Sequence, residues 1–509
     1  MSGADDAFQG FSPAARLRAA TSRGTGVAEA EATTAACTAG ETVAARGRQA
    51  TRQRRVIGLL WLVLLAQGVV FALIQPVWSR VDEAQHYDYI QYLVENGALP
   101  VEGQTFISPQ VVGVSVRANQ WGWLPAGTIS PPAYLDPSEW TAVPQGLSER
   151  EREKWVRRNL WYFNYEAMQP PLYYLISAPV YAATPADPFI KLYGMRLLAA
   201  LVASAMLPLT YLTAKEAFPD SRLVVYGAPV VMLLTQGYAL NMSQVTNDAL
   251  AVPLAAAALL LLLRMVVRGL SWRRSLLAGA VIGAALLSKL TTIYLAPAAL
   301  LALGLLVLYR RENWKRAAGH MALLFAPAAA ILAPWMAHNL VVYGDATGAS
   351  AAQPLMSSFF ASPTVSLQTL RLNELLPTFW FGEPIFPFAF WTFAWVAVGT
   401  AMAVALVGLL YYMFDHDHWQ VSDVHIRVVF LALAFLTGVA VNLLIPFGSG
   451  IGGVPGRYLY PLLPALAFLL MFGIDRLLRR ERAQFLAEVL LVWMVLWESF
   501  NFLAYVKFR

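Results

Sequence analysis

The chain has 509 residues, of which 58% are hydrophobic and 13% are charged, and its mean hydropathy is +0.52. This composition excludes a soluble globular domain and is typical of a protein with many membrane-spanning helices. The formal net charge of +6 is spread between apolar segments, which favours basic cytoplasmic loops and argues against nucleic acid as a partner. Cys37 is the only cysteine, so an intrachain disulfide and a cysteine-based metal centre are excluded.

The N-terminal residues 1–55 are rich in Ala, Thr, Gly and Arg and have no sustained apolar period. We expect a disordered cytoplasmic tail there. The apolar segment that follows, from Val56 to about Trp78, is long for a signal peptide and lacks a small-residue cleavage site. We therefore interpret it as an uncleaved anchor, and we assign residues 56–506 to one polytopic transmembrane domain.

Basic loops mark the cytoplasmic side of a membrane protein. Four basic clusters separate the apolar segments: 52–55, 264–274, 310–316 and 476–482. They predict an all-α fold of about eleven transmembrane helices, with the N-terminus in the cytoplasm and the C-terminus outside. The predicted spans are 56–76, 190–213, 224–242, 247–265, 274–288, 291–309, 317–342, 387–413, 427–446, 457–475 and 485–506.

Residues 79–188 form the first extracytoplasmic loop in this topology. The apolar segment from Gln169 to Pro179 is short and contains prolines, and a crossing there would break the parity of the spans. We expect a helix at the membrane interface instead. A loop of this length is usually functional.

The first charged residues after the first span are two adjacent carboxylates, Asp82 and Glu83. If the segment is helical, Asp82, His86 and Tyr89 share one face, while Glu83 lies beside Tyr87. A carboxylate partly desolvated at the bilayer surface can have its pKa raised enough to accept a proton from a hydroxyl group. A solvated helix start with Asp82 as a cap is an equally good interpretation.

Four other residues stand out at predicted outer helix ends or inside a span. Asp248 starts the fourth span, where a helix cap is the simpler interpretation. Lys289 and Arg196 are cations near lipid, for which snorkelling is one explanation and a functional role is another. Arg457 follows a glycine-rich turn without the Lys-Ser/Thr ending of a nucleotide phosphate loop, and this turn could bring a guanidinium group to a phosphate.

The predicted topology puts all these acids and cations on the extracytoplasmic side. Such an arrangement suits an anionic lipid head group that is held by cations while a carboxylate activates an acceptor. At these same residues the chain resembles the lipid-carrier-dependent glycosyltransferases of the GT-C fold, among them the bacterial relatives of protein O-mannosyltransferases and the lipid A aminoarabinose transferases. The resemblance covers most of residues 56–475. Its motifs are Asp82-Glu83 with His86-Tyr87, Gln169-Pro170-Pro171-Leu172-Tyr173-Tyr174, Thr246-Asn247-Asp248, Leu287-Ser288-Lys289-Leu290-Thr291 and Gly456-Arg457-Tyr458.

This resemblance implies an enzyme of the plasma membrane that moves a sugar from a polyprenyl-phosphate donor to an extracytoplasmic acceptor with inversion. It implies that Asp82 is the general base, that Glu83 assists it, and that Asp248 is a secondary acid. It implies that the donor phosphate is bound by three cations, Lys289, Arg457 and Arg196. We expect further substrate contacts from the remaining motif residues, His86, Tyr87, Gln169 and Tyr458.

Two points remain open at the level of the sequence. Many GT-C relatives carry His where this chain has Gln169, which leaves the acceptor site undefined, and three acids of unknown separation leave the use of a divalent cation undecided. Two other classes of function also fit a polytopic protein with these charges. One is a transporter or flippase of a lipid-linked sugar, and the other is a catalytically inactive scaffold with the same fold.

Overall fold

The computed structural model describes residues 51–78, 82–118, 163–348, 372–382, 388–414, 422–449 and 456–478, together with a few single residues outside these ranges. The chain divides into two units, Met1–Leu59 and Leu60–Arg509. The predicted disordered tail lies outside the described residues except for its end, because the first helix begins at Thr51 rather than at 56.

Regular structure in the described part of the chain is helical. The helices are α1 (Thr51–Ile74), α2 (Glu83–Asn96), α3 (Pro109–Ala118), α4 (Leu172–Ala183), α5 (Pro188–Ala203), α6 (Met206–Ala217), α7 (Arg222–Leu234), α8 (Gln236–Met242), α9 (Asp248–Arg268), α10 (Trp272–Ser288), α11 (Leu295–Tyr309), α12 (Trp314–Tyr343), α13 (Leu372–Phe381), α14 (Phe388–Phe414), α15 (Asp423–Ser449) and α16 (Leu463–Leu477). Short 3-10 helices, Leu290–Tyr294 and Gly456–Leu462, precede α11 and α16. The predicted all-α polytopic fold is confirmed.

Among the residues that the structure describes, eight helical segments are long and apolar enough to cross a membrane, or nine if the bent pair α7 and α8 counts as one span. The predicted number of eleven is therefore not confirmed. The predicted span at 274–288 corresponds to α10, whose 17 residues fall short of the about 20 that a crossing normally needs. The predicted span at 485–506 lies outside the continuously described ranges.

The segment around residue 170 does form a separate short helix, as the topology required. Helix α4 has 12 residues and contains Pro179, so it is too short to cross the bilayer on its own. Helix α5 then starts with a well-defined cap, because the Asp187 carboxylate accepts hydrogen bonds from the backbone N–H groups of Phe189 and Ile190, two donors without partners inside the helix.

Close packing of two helices in the middle of the chain depends on small residues. Gly279 and Gly283 lie four residues apart on α10, and a Cβ atom on Gly283 would come within 2.8 Å of the Cα atom of Ala328 on α12. Glycines at this spacing let the backbones of membrane helices approach closely. The contact fixes the C-terminal end of α10, where Lys289 follows.

Candidate active site

The loop between α1 and α2 holds the two adjacent carboxylates in an unusual backbone conformation. Asp82 has a φ angle of 77° and a ψ angle of −12°, in the left-handed region, and α2 begins at the next residue, Glu83. A residue other than glycine in this region costs about 1–2 kcal/mol, so the surroundings must hold it there. The two side chains consequently leave the loop toward different partners.

Glu83 is bound by Arg196, and both side chains are completely buried. The guanidinium group donates to both carboxylate oxygens at 2.6 and 2.7 Å. It also donates to the carbonyl oxygens of Ala72, Gln75 and Pro76 at the end of α1. These five hydrogen bonds occupy all five donors of the guanidinium group.

The predicted roles of Arg196 and Glu83 stay predictions, and the contacts of this pair favour a structural role instead. Arg196 was expected to bind the donor phosphate, but its donors are already used inside the protein. Glu83 was expected among the catalytic acids, but its carboxylate also accepts from the backbone N–H of Val245 at 3.2 Å and has no exposure to a substrate. The pair holds the end of α1 against the start of α2, so we assign it to positioning Asp82.

Asp82 itself forms an ion pair with Arg457, which lies 375 residues away in the sequence. Arg457 Nη2 donates to Asp82 Oδ2 at 2.6 Å, and the Tyr165 hydroxyl donates to the other oxygen at 2.8 Å. Unlike the Glu83 pair, this one is partly accessible, with 11% of the Asp82 side chain and 17% of the Arg457 side chain exposed. Gly456 is required beside it, because a Cβ atom there would collide with the backbone of Phe379.

A second ion pair joins Lys289 and Asp248 at 2.7 Å. The cap interpretation of Asp248 is not supported, since α9 has Asn247 at its cap position without a side-chain capping bond. Tyr458 links the two pairs: Lys289 Nζ lies 5.3 Å from its ring centroid and the Arg457 guanidinium carbon lies 5.7 Å from it. Acids and cations from four distant parts of the chain thus meet around one aromatic ring.

The site lies at the opposite ends of the helices from the basic clusters. Asp248 starts α9 and Arg268 ends it, and 21 helical residues separate the two by about 30 Å. Lys289 directly follows α10, whose first turn contains Arg273. If the basic clusters face the cytoplasm, the site with Arg457 faces the other compartment.

The pKa of Asp82 differs from the expectation. Burial pushes the pKa of Asp82 upward, but the positive charge of Arg457 and the hydrogen bonds from Arg457 and Tyr165 outweigh it, so the pKa lies below its usual value. The sequence-based argument for a raised pKa is wrong for this ligand-free arrangement. Burial also lowers the pKa of His86 to about 3, so its imidazole is neutral at physiological pH.

Glu166 is a site residue that the sequence analysis missed. Burial and the negative charge of Asp82 raise the pKa of its carboxyl group to about 8, and its Oε2 atom is buried without a hydrogen-bond partner in the described structure. Donor atoms of Asp82, His86 and Glu166 all lie within 4.8 Å of one another. Two carboxylates and an imidazole of this kind could hold a divalent cation such as Mn²⁺ or Zn²⁺.

The remaining predicted contacts fall into two groups. Gln169 borders the site, because its side-chain oxygen accepts from Asn247 Nδ2 at 3.3 Å. His86 belongs to the metal-capable group and contacts the Tyr174 hydroxyl through Nδ1 at 2.9 Å. Tyr87, in contrast, is fully buried in the core and packs edge-on against Trp78 with a centroid distance of 5.3 Å, so its contacts favour packing, and its role in substrate binding stays a prediction.

The segment Asn164–Glu166 supplies contacts that no sequence signal indicated. Asn164 Nδ2 donates to the carbonyl oxygen of Gln85 and to Asp88 Oδ2, and its Oδ1 accepts from the backbone N–H of Glu166. This places Tyr165 and Glu166 against α2. The only clue in the sequence was their position a few residues before Gln169 in the same external loop.

These helices and charged contacts define a multi-pass membrane protein with a buried polar site at one end of its helices. The chain belongs to the DUF2142 family, described as a predicted membrane protein, whose sequence profile matches residues 65–466. A search of curated proteins finds no match.

Among solved structures, the chain is similar to ArnT from Cupriavidus metallidurans bound to undecaprenyl phosphate, with 14% identity and a TM-score of 0.49 over 82% of this chain and 60% of that one. It is also similar to the Archaeoglobus fulgidus oligosaccharyltransferase in complex with Zn and sulfate, with 13% identity and a TM-score of 0.47 over 87% of this chain and 52% of that one. The chain therefore spans less than two thirds of the length of either protein. At these TM-scores and identities, neither likeness carries an argument about this chain.

Proposed function

We propose that this protein is a glycosyltransferase that moves a sugar from a polyprenyl-phosphate donor to an extracytoplasmic acceptor with inversion. The observation that carries the proposal is the meeting of the Asp82–Arg457 and Asp248–Lys289 ion pairs around Tyr458. It supports transfer because two cations that can hold a phosphate leaving group and a carboxylate that can accept the proton of an acceptor hydroxyl lie in one site.

In this proposal Arg457 and Lys289 hold the donor phosphate. A guanidinium group binds phosphate oxygens through several donors at once, and a lysine adds a compact charge. Tyr458 lies between the two cations and fixes their spacing. Both cations lie beside helix ends, where the lipid tail of the donor can remain in the bilayer while its head group enters the site.

Asp82 acts as the general base in this proposal. The acceptor hydroxyl gives its proton to the Asp82 carboxylate as the acceptor oxygen attacks the anomeric carbon from the side opposite the phosphate. Asp248 orients Lys289, and Glu83 with Arg196 holds the backbone of Asp82 in place. If a divalent cation occupies the group that includes Glu166, it would supply charge neutralisation for the departing phosphate.

A lipid-linked-sugar transporter is the second candidate, and one observation favours it. Helices α7 and α8 meet at a bend of 58°, as in a broken span or a re-entrant loop, and discontinuous helices are common at the substrate sites of transporters. The ion pair at Asp82 favours the enzyme, because transport alone does not need a carboxylate beside the phosphate-binding cations.

Reconstitution in liposomes separates the candidates. The purified protein is supplied with radiolabelled polyprenyl-phosphate sugars and with extracts of the cell envelope as acceptor. We expect label to move to the acceptor with the wild type and with Glu95→Gln, an exposed acid on the same helix α2, and not with Asp82→Asn. Movement of the donor across the bilayer without transfer would instead support a flippase. The absence of both transfer and movement of the donor would support a scaffold.

A further inference from the structure

The charges of the site cancel in pairs in the ligand-free protein. Glu83 is paired with Arg196, Asp82 with Arg457 and Asp248 with Lys289, each at 2.6 or 2.7 Å. Among the residues described around the site, each of these three cations therefore already contacts a carboxylate. A donor phosphate that binds there must share a cation with an acid of the protein.

The three pairs are not equally able to do so. The Glu83–Arg196 pair is completely buried and its guanidinium donors are all used. Arg457 keeps a spare donor, because its Nε atom is buried without a hydrogen-bond partner in the described structure. Ser288, which precedes Lys289 in the sequence, likewise has a buried hydroxyl group without a hydrogen-bond partner in the described structure. Spare donors beside the two more accessible pairs are what an incoming phosphate would use.

We propose that the donor phosphate competes with Asp82 for Arg457, and with Asp248 for Lys289, so that donor binding itself releases the base for the acceptor. This inference rests on the proposed function, because it assigns the phosphate to the same two cations. In the resting protein Asp82 Oδ2 accepts a hydrogen bond from Arg457, so a phosphate that takes this guanidinium group leaves that oxygen open to the acceptor hydroxyl. The acceptor is then activated only when the donor is present.

The chemical step balances under this arrangement. The acceptor oxygen forms a bond to the anomeric carbon, and its proton passes to the released Asp82 carboxylate. The bond between the anomeric carbon and the phosphate oxygen breaks, and the phosphate leaves with the electron pair as an anion held by Arg457 and Lys289. Departure of the phosphate returns Arg457 to Asp82, which favours loss of the proton and resets the site.

The test is the affinity for a non-transferable polyprenyl phosphodiester, whose charge does not titrate near neutral pH. Removing a competing carboxylate should strengthen binding, so we expect Asp82→Asn to bind the diester about tenfold more tightly than the wild type, a typical size for a coupling between two sites. Asp248→Asn should also bind more tightly, which tests the same competition at Lys289 independently. Glu95→Gln is the control and should bind with the wild-type affinity.

The outcomes separate this inference from the proposed function. Wild-type transfer combined with equal or weaker diester binding by both asparagine variants would overturn the competition and leave the transferase in place. Tighter binding by the variants without transfer of any sugar by the wild type would retain the competition and overturn the transferase. No binding of the diester by the wild type would overturn both. A folded state of each variant is checked by its thermal unfolding temperature.

Discussion

Removing the guanidinium group of Arg196 should destabilise the protein far more than removing any other arginine near the site. In Arg196→Met the Glu83 carboxylate stays buried with one remaining hydrogen bond, from the Val245 N–H, and three carbonyl oxygens at the end of α1 lose their donor. Breaking a buried ion pair by removing one partner costs about 3–5 kcal/mol. For a chain of this size we expect the apparent unfolding temperature to fall by about 5–10 °C.

The assay is thermal unfolding of the purified protein in detergent, followed by tryptophan fluorescence. Arg117→Met is the matched control, because Arg117 pairs with Asp187 at 3.5 Å with about half of each side chain exposed, and an exposed pair contributes at most about 1 kcal/mol. The double variant Glu83→Gln with Arg196→Met should recover part of the loss, since it leaves no unpaired charge. The reasoning is refuted if Arg196→Met lowers the unfolding temperature no more than Arg117→Met.

Three further predictions use other features of the structure. Burial raises the pKa of Glu166 to about 8, above about 4.3 for an unfolded chain. The contribution of Glu166 to stability is therefore full below about pH 4.3 and is lost as the pH rises to 8. The unfolding temperature of Glu166→Gln should fall less between pH 5 and pH 8 than that of the wild type, and an equal fall in both proteins would contradict this. In a Cys37→Ser background, Thr347→Cys should react with a membrane-impermeant maleimide on intact cells and Lys315→Cys only in inverted vesicles, and the opposite pattern would place the site in the cytoplasm. Gly456→Ala should weaken binding of a polyprenyl phosphodiester at least tenfold, because it displaces the neighbouring Arg457. It should also destabilise the protein by about 1–3 kcal/mol. Wild-type affinity of this variant would show that the close backbone contact does not position Arg457.

The sequence predicted the helical fold because long apolar segments have few alternatives in a membrane. The predicted number of spans is not confirmed where helix length is marginal, as in α10 with its 17 residues. Hydropathy reflects only the composition of a segment. It does not show whether a short helix packs against neighbouring helices. The position of α4 was predictable because the parity of the basic loops excluded a crossing there.

The grouping of the charged residues was predictable in part, and the physical reason differs from residue to residue. Asp82, Asp248, Lys289 and Arg457 are charges at helix ends, so topology alone could bring them to one side of the membrane. Arg196 could not be separated from them, because whether a buried cation is satisfied depends on contacts more than 100 residues away.

Glu166 was missed because a single acid in a long irregular loop has no periodicity, and only the fold brings it close to His86. The same limit applies to Tyr165, whose hydroxyl reaches Asp82 across 83 residues of sequence. Loop residues of this kind can be assigned to a site only from their contacts. Those contacts are known only when the place of α2 in the fold is known.

The pairing of charges in the resting site follows from where the site lies. Before a lipid phosphate binds, a cation near the bilayer interior cannot remain unpaired, because the free-energy cost of burying an isolated charge far exceeds the stabilisation from one hydrogen bond. In the proposed transferase, acids of the protein therefore neutralise Arg457 and Lys289 until the donor binds. When one of those acids is also the base, the electrostatic requirement for stability produces an order of events, in which the donor binds before the acceptor is activated.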